Sequence, residues 1–306
     1  MNQQTDKTTL GIILMIAFTV SGPLIDLFGK LAAPHMSVGQ VAAARFSVQA
    51  VGLIPLAFLL GAAHLPDWRE IRLHLARAAM ILIATGCFFA ALRVMPIADA
   101  MSIFFVEPFI LTLLGGLVLG EAVGWRRLLA CAVGFGGALL VIQPRFVDLG
   151  GVALLPLGTA LFFAVYMLLT RKMAQTQHPV TMQAYTAVAA MALAWPALLA
   201  GGIFGVAELT PSLPSPLHLA YLFGVGVAAT IAHLFISYAL RFAPAATIAP
   251  LQYLEIVSAT IIGFIVFNDR PDHTMILGVS IIVASGLYVF FREARLGRSK
   301  RPTPAP

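Results

Sequence analysis

The chain has 306 residues; 60% are hydrophobic, only 10% are charged, and the formal net charge is +6. A soluble domain carries about 25% charged residues, so this composition excludes a water-soluble globular protein and points to lipid as the solvent. The basic excess does not mark a nucleic-acid partner, because Lys and Arg sit singly or in pairs at the ends of apolar runs, with one denser cluster near the C-terminus.

A membrane-crossing helix needs about 20 mainly apolar residues, and ten runs meet that requirement. The first, 9–31, contains Pro23 and Asp26 and ends at Lys30. It is longer than the apolar core of a cleaved signal peptide, about 7–15 residues, and reads as the first membrane helix. The second, 37–60, carries Arg45. A polar loop from Gly61 to His74 leads to the third, 75–94, with Cys87. The fourth, 97–119, holds Glu107 and Pro108. The fifth, 126–143, contains Cys131 and the small residues Gly134, Gly136 and Gly137, which suit close helix contact. The sixth is 150–171, with Tyr166, and the seventh is 180–204. A loop rich in proline and serine, Gly205 to Pro216, precedes the eighth, 217–240, with His233. The ninth, 244–267, holds Pro250, Gln252, Tyr253 and Glu255, and the tenth, 273–291, has Gly278 and Gly286. The alternating strands of a membrane β-barrel are absent. Both cysteines lie inside apolar runs without metal-site spacing and read as packing residues.

Charge sets the orientation. With the N-terminus inside, the inner segments hold Lys7, Arg69, Arg72, Arg77, Arg126, Arg127, Arg171, Lys172, Arg241, Arg292, Arg295, Arg298, Lys300 and Arg301, fourteen in all. The outer segments hold four: Lys30, Arg93, Arg145 and Arg270. The positive-inside rule then places both termini in the cytoplasm. The cluster from Arg292 onward reads as a basic tail that fixes topology and meets anionic lipid head groups.

The chain also repeats. At an offset of 148 residues, Leu92-Arg93 matches Leu240-Arg241, Pro96 matches Pro244, Ala98 matches Ala246, Glu107 matches Glu255, Gly115 matches Gly263 and Glu121 matches Asp269. Each half has five helices, so the second half must enter from the opposite face. The fold class predicted is an all-α membrane protein of ten transmembrane helices in two inverted repeats. Its parts are residues 1–145, residues 146–291 and a tail of 292–306. Inverted repeats of this kind recur in secondary transporters, where two halves rock about a central site.

The stretch ALRVMPIADAMSIFFVEPFILTLLGGLVLGEAVGWRRLLACAVGFGGALLVIQP, residues 91–144, carries a small-residue turn, a Glu-Pro helix, a Leu-Gly-Glu end and a glycine-rich fifth helix. It resembles the EamA-type carriers of the drug/metabolite transporter superfamily. Residues 239–290 resemble the same pattern a second time, although Ile256 replaces the proline that would pair with Pro108 and Asn268-Asp269 replaces Gly-Glu. The first helix reads Ser21-Gly22-Pro23 in place of the group's common Trp-Gly. The resemblance implies a ten-helix carrier of metabolites such as amino acids, amino-acid derivatives, nucleoside-like compounds, flavin or sugars.

Charges inside a bilayer cost about 2.5–3.5 kcal/mol each on insertion scales and face the bundle interior. The candidates for substrate or proton coupling are Glu107, Glu255, His233, Arg45 and Asp26. Glu107 and Glu255 are expected near a central cavity, holding a substrate amine or a coupling proton, or else satisfying kinked backbone. Asp26 and Arg45 lie at similar depth and are expected to form a structural ion pair. His233 is a candidate proton relay or a packing residue. Tyr166, Gln252 and Tyr253 are candidates to line the pathway, and Pro23, Pro108 and Pro250 are expected to kink their helices.

No GxxxxGK[ST] phosphate loop, HExxH metal motif or Gly-x-Ser-x-Gly elbow is present. The expected function is secondary transport of a small metabolite, an amino acid or its derivative, with a nucleoside-like or flavin compound as the alternative. A non-transporting sensor or assembly subunit is the reading from another class. No catalytic residue, metal or cofactor is expected. The partners are the solute, membrane lipids and coupling protons, and the state is a monomer or homodimer in a bacterial inner membrane.

Overall fold

A computed structural model describes residues 7–32, 34–92, 100, 103–121, 123–142, 150–267 and 273–299. Ten long helices follow one another among these residues: α1 Thr8–Ala32, α2 Val38–Leu59, α3 Trp68–Leu92, α4 Glu107–Leu119, α5 Trp125–Ile142, α6 Leu154–Ala174, α7 Pro179–Phe204, α8 Pro216–Phe242, α9 Leu254–Phe267 and α10 His273–Ser299. No strand occurs among the described residues. Among the described residues eight helical stretches are long and apolar enough to cross a membrane, and α4, with 13 residues, is a shorter apolar helix. The large apolar side chains at Leu59, Leu117, Ile203, Phe204 and Ile265 are all exposed. On helices long and apolar enough to span a bilayer, such a surface marks contact with lipid. The chain is an integral membrane protein.

Local chemistry sets the helix ends. Ser37 caps α2 by accepting from the Gln40 N–H at 3.3 Å, and Ser215 caps α8 with Pro216 in the first turn. Asp67 and Glu70 form a reciprocal capping box: the Glu70 N–H donates to Asp67 Oδ1 at 2.8 Å, and the Asp67 N–H donates to Glu70 Oε2 at 3.3 Å. This box starts α3 at Trp68, two turns before the expected 75. Arg77 is thereby drawn from the inner surface, where the sequence reading placed it, into the helix interior, where it is 0% exposed. Dropping it from the inner count leaves the charge bias in place. The C-terminal basic cluster is not a separate tail at its start, because α10 continues through Arg292, Arg295 and Arg298 to Ser299. Arg93, Pro96, Ala98, Arg145, Asn268, Asp269, Arg270, Lys300 and Arg301 lie outside the described residues.

The halves interleave. Helix α1 packs along α8, α3 along α6, α2 along α7 and α5 along α10, while α4 meets α6 and α1 meets α9. Glycine makes the α5–α10 approach possible: a side chain at Gly278 would strike the Gly137 carbonyl, and one at Gly137 would strike Ile282 and the Gly278 carbonyl.

Two helices are broken at matching places. The expected span 97–119 is interrupted by a turn at Phe105–Val106, and α4 begins at Glu107 with Pro108 in its first turn. Pro108 therefore does not kink the middle of a helix; it sits where its missing N–H costs nothing. In the second half a short helical turn, Ala245–Ile248, runs into a 3-10 turn, Ala249–Tyr253, before α9 begins at Leu254. Pro250 occupies the first turn of that 3-10 segment. Pro23 lies inside α1, as do Pro55 in α2 and Pro196 in α7.

Candidate functional site

The two breaks meet. Tyr253, 0% exposed, donates its hydroxyl to the Phe105 carbonyl at 2.9 Å, so a backbone acceptor freed by the first break is satisfied from the second. The two residues are separated by the repeat offset of 148. Gly134 lets the Tyr253 ring lie flat against α5, because a side chain there would overlap the ring.

Each restart carries a carboxylate. Glu107 is the first residue of α4 and Glu255 the second of α9. A helix N-terminus carries partial positive charge from its unpaired N–H groups, which favours an acid there. That is the local reason these charges are tolerated at membrane depth. Glu107 is 1% exposed, and its Oε1 has no hydrogen-bond partner. Gln252 faces it but outside hydrogen-bond geometry, since Gln252 Nε2 is also unpartnered. Thr247 Oγ1, in the short helical turn of the same broken segment, is unpartnered as well. Glu255 lies against α1 at Gly22, where any side chain would collide with its carboxylate. Glu255, Asp26 and Glu107 share one electrostatic neighbourhood.

A second polar cluster lies among α2, α3, α6, α7 and α8. Arg77 donates Nε to Thr170 Oγ1 at 3.0 Å, Nη1 to Thr186 Oγ1 at 2.6 Å and to the Met182 carbonyl at 3.3 Å, and Nη2 to the Tyr166 hydroxyl at 3.1 Å. Gln183 Nε2 donates to Ser237 Oγ at 2.5 Å and to the His233 carbonyl at 3.0 Å. Arg45 donates Nη2 to His233 Nε2 at 2.9 Å, and His233 Nδ1 lies 2.9 Å from the Ala229 carbonyl. These partners assign the tautomer: Nδ1 carries the hydrogen, and Nε2 accepts from the guanidinium.

The expected Asp26–Arg45 ion pair does not form. The two feel each other's charge, but Arg45 is hydrogen-bonded to His233 and Asp26 is exposed. The reason is reach: α2 packs against α8, and that brings the imidazole to the guanidinium first. Tyr166 and Tyr253, expected along a pathway, are 1% and 0% exposed and hold the two clusters together. Sequence reasoning missed Arg77, Gln183 and Thr186. The Asp67–Glu70 spacing was the signal that would have drawn Arg77 inward.

A third contact joins the halves at the C-terminal ends of α6 and α8, next to the second cluster. Gly120 ends α4 in the left-handed conformation, φ 65°, turning the chain so that Glu121 points back. Arg171 Nε donates to Glu121 Oε1 at 2.9 Å, and its Nη1 donates to the carbonyls of Leu240 at 2.6 Å and Arg241 at 3.2 Å. The Ala246 N–H donates to Glu121 Oε2 at 3.2 Å. Both side chains are largely buried, at 13% and 9% exposure.

A pocket of about 520 Å³ opens elsewhere, between α2, α3 and α7 beneath the Ala207–Leu209 turn. Its lining is apolar apart from Thr85 and Glu208, and it contains none of the buried carboxylates or arginines. The unpartnered polar atoms, not this pocket, mark the chemistry. Among the described residues no group of three or more His, Cys, Asp or Glu side chains is placed to hold a metal ion.

Comparison with known proteins gives one answer. The model of the EamA-like transporter family matches residues 9–143 and again 150–291. The chain is 25% identical over 295 residues to an S-adenosylmethionine uptake transporter of Rickettsia prowazekii, covering 96% of this chain and 97% of the relative. It is 26% identical over 305 residues to a riboflavin transporter of Rhizobium johnstonii, covering 98% and 96%. A pseudopaline exporter of Pseudomonas aeruginosa is 23% identical over 287 residues, covering 92% and 95%. A crystal structure at 17% identity superposes with a TM-score of 0.76, covering 94% of this chain and 98% of the other, and shares the fold.

Proposed function

The chain belongs to the EamA-like transporter family and is a secondary transporter of a small metabolite; from that premise we propose that it works by alternating access between two inverted five-helix repeats, with both termini in the cytoplasm of a bacterial inner membrane. The observation that carries this reading is the pair of broken helices, 148 residues apart, each restarting on a carboxylate, Glu107 buried and Glu255 half-buried. Non-helical backbone at membrane depth persists only where protein or a water-filled cavity satisfies it, and paired broken helices mark the central site of secondary transporters. The packing supports the same symmetry: α1–α8 mirrors α3–α6, α1–α9 mirrors α4–α6, and α2–α7 and α5–α10 are their own counterparts.

In this mechanism Glu107, with Oε1 unpartnered beside Gln252, receives a substrate amine or the coupling proton. Glu255 and Asp26 complete an acidic pole. The Arg171–Glu121 pair, with its contacts to Leu240, Arg241 and Ala246, is the latch that closes the cytoplasmic side. The solute class is an amino-acid derivative such as S-adenosylmethionine. A flavin is the second reading, favoured by the 26% identity to the Rhizobium riboflavin transporter. Uptake of radiolabelled S-adenosylmethionine and riboflavin into proteoliposomes separates them. Saturable uptake of the first supports the main reading, uptake of the second alone moves the assignment to flavins, and uptake of neither by folded protein sinks both.

A further inference from the structure

We propose that Arg45 is the docking point for a carboxylate on the transported solute, with Arg77 as a fixed second cation behind it and His233 as the residue that positions it. This rests on the carrier reading above and narrows its substrate class.

The two guanidiniums sit in one connected network, yet neither has a carboxylate within ion-pair distance among the described residues. Every nitrogen of Arg77 is hydrogen-bonded, but its charge is not balanced: its partners are three hydroxyls and a carbonyl, all neutral. Neutral acceptors satisfy N–H groups without supplying a counter-charge, so the network keeps an unbalanced positive field in a low-dielectric place. Arg45 is the member able to use that field. Only its Nη2 is engaged, by His233 at 2.9 Å, while its Nε is buried and has no partner.

An orphaned buried N–H on a charged group is costly, and a ligand oxygen removes the cost. The planar guanidinium fork matches a two-oxygen anion. The neutral imidazole, held by Ala229 through Nδ1, pins one edge of Arg45 and leaves Nε open. Asp26 lies in the same field without reaching the guanidinium, so the position is held for an external anion. The acidic pole at Glu107 and Glu255 then receives the cationic end of the same molecule, and the protein selects a zwitterion. Riboflavin carries no carboxylate and S-adenosylmethionine does, so the proposal separates the two named solutes. Inorganic phosphate offers similar oxygens and serves as a control.

The test is thermal unfolding of the full purified chain in detergent, run beside proteoliposome uptake. The probes are S-adenosylmethionine, its decarboxylated form, methionine, methioninamide, riboflavin and inorganic phosphate. The carboxylate forms are expected to raise the unfolding midpoint at concentrations about tenfold or more below those needed by their partners lacking the carboxylate. Arg45→Gln should abolish that preference and Arg45→Lys should keep part of it. Should Arg45→Gln fail to fold, the paired probes on the native chain still decide. Equal effects of both members of each pair, stabilisation by riboflavin or phosphate alone, or no stabilisation by any probe overturns the subsite. Carboxylate-dependent stabilisation without uptake keeps the subsite and sinks the carrier reading. Uptake with no carboxylate preference does the reverse.

Discussion

Glu121→Gln tests the proposed latch most sharply. The substitution keeps the side-chain shape and one acceptor for Arg171, but removes the charge from a contact of 2.9 Å between side chains only 9–13% exposed. A hydrogen bond to a charged group contributes about 1.5–3 kcal/mol. Taking about 2 kcal/mol as the loss, the equilibrium between closed and open cytoplasmic sides moves about 30-fold toward open, at about 1.4 kcal/mol per tenfold. Ser237 lies one helical turn deeper than Leu240 and is 0% exposed, so a thiol there reports the opening. In a background lacking Cys87 and Cys131, Ser237→Cys in inside-out vesicles should react with an impermeant maleimide slowly. Adding Glu121→Gln should accelerate the reaction by roughly that 30-fold factor, and Arg171→Gln should act alike. Unchanged labelling in both variants, at normal membrane levels, would refute the latch.

Other outcomes follow from the same geometry. Arg77→Lys cannot reach Thr170, Thr186, Met182 and Tyr166 together, and should lower stability by about 2–4 kcal/mol, read as a fall in the unfolding midpoint in detergent; an unchanged midpoint contradicts the network. Gly22→Val places a side chain where the Glu255 carboxylate lies, so transport should be lost even where membrane levels are normal, and full uptake by this variant would count against the α1–α9 contact. At the loop before α3, the hydrogen bond from His64 to Glu70 at 2.9 Å raises the imidazole pKa above its ordinary value. A raised pKa means the folded state favours the protonated form, so this stabilisation is present below about pH 6.5 and fades as pH rises through the folded-state value. Because His64 is 45% exposed, the effect is small and salt-sensitive. Titration of the His64 ring by NMR should show the raised pKa returning toward normal in Glu70→Gln.

Much of this was legible in the chain. Apolar runs give the helices because lipid leaves few alternatives, and the offset of 148 between Glu107 and Glu255 survives as two carboxylates at matching helix restarts. Pro108 and Pro250 marked the right places but the wrong geometry. Proline is as much at home in a first turn as at a kink, and single-sequence hydropathy does not distinguish a bent helix from a broken one. The Asp26–Arg45 pairing failed because similar depth says nothing about rotation about each helix axis. Which neighbour Arg45 meets depends on how α2 lies against α8, and that is decided by side chains such as Val48 filling the space at Gly226. Arg77 was hidden because an arginine near a helix end looks like a topology signal until the capping box shows where the helix starts.

The most direct test of the central claim is uptake into proteoliposomes holding the native chain or Glu107→Gln, with and without an imposed pH gradient, at matched amounts of folded protein. A carrier that uses the carboxylate at the first break gives saturable uptake that responds to the gradient, with both uptake and response lost or strongly reduced in Glu107→Gln. Full uptake with an unaltered response to the gradient in Glu107→Gln would contradict the role assigned to that carboxylate.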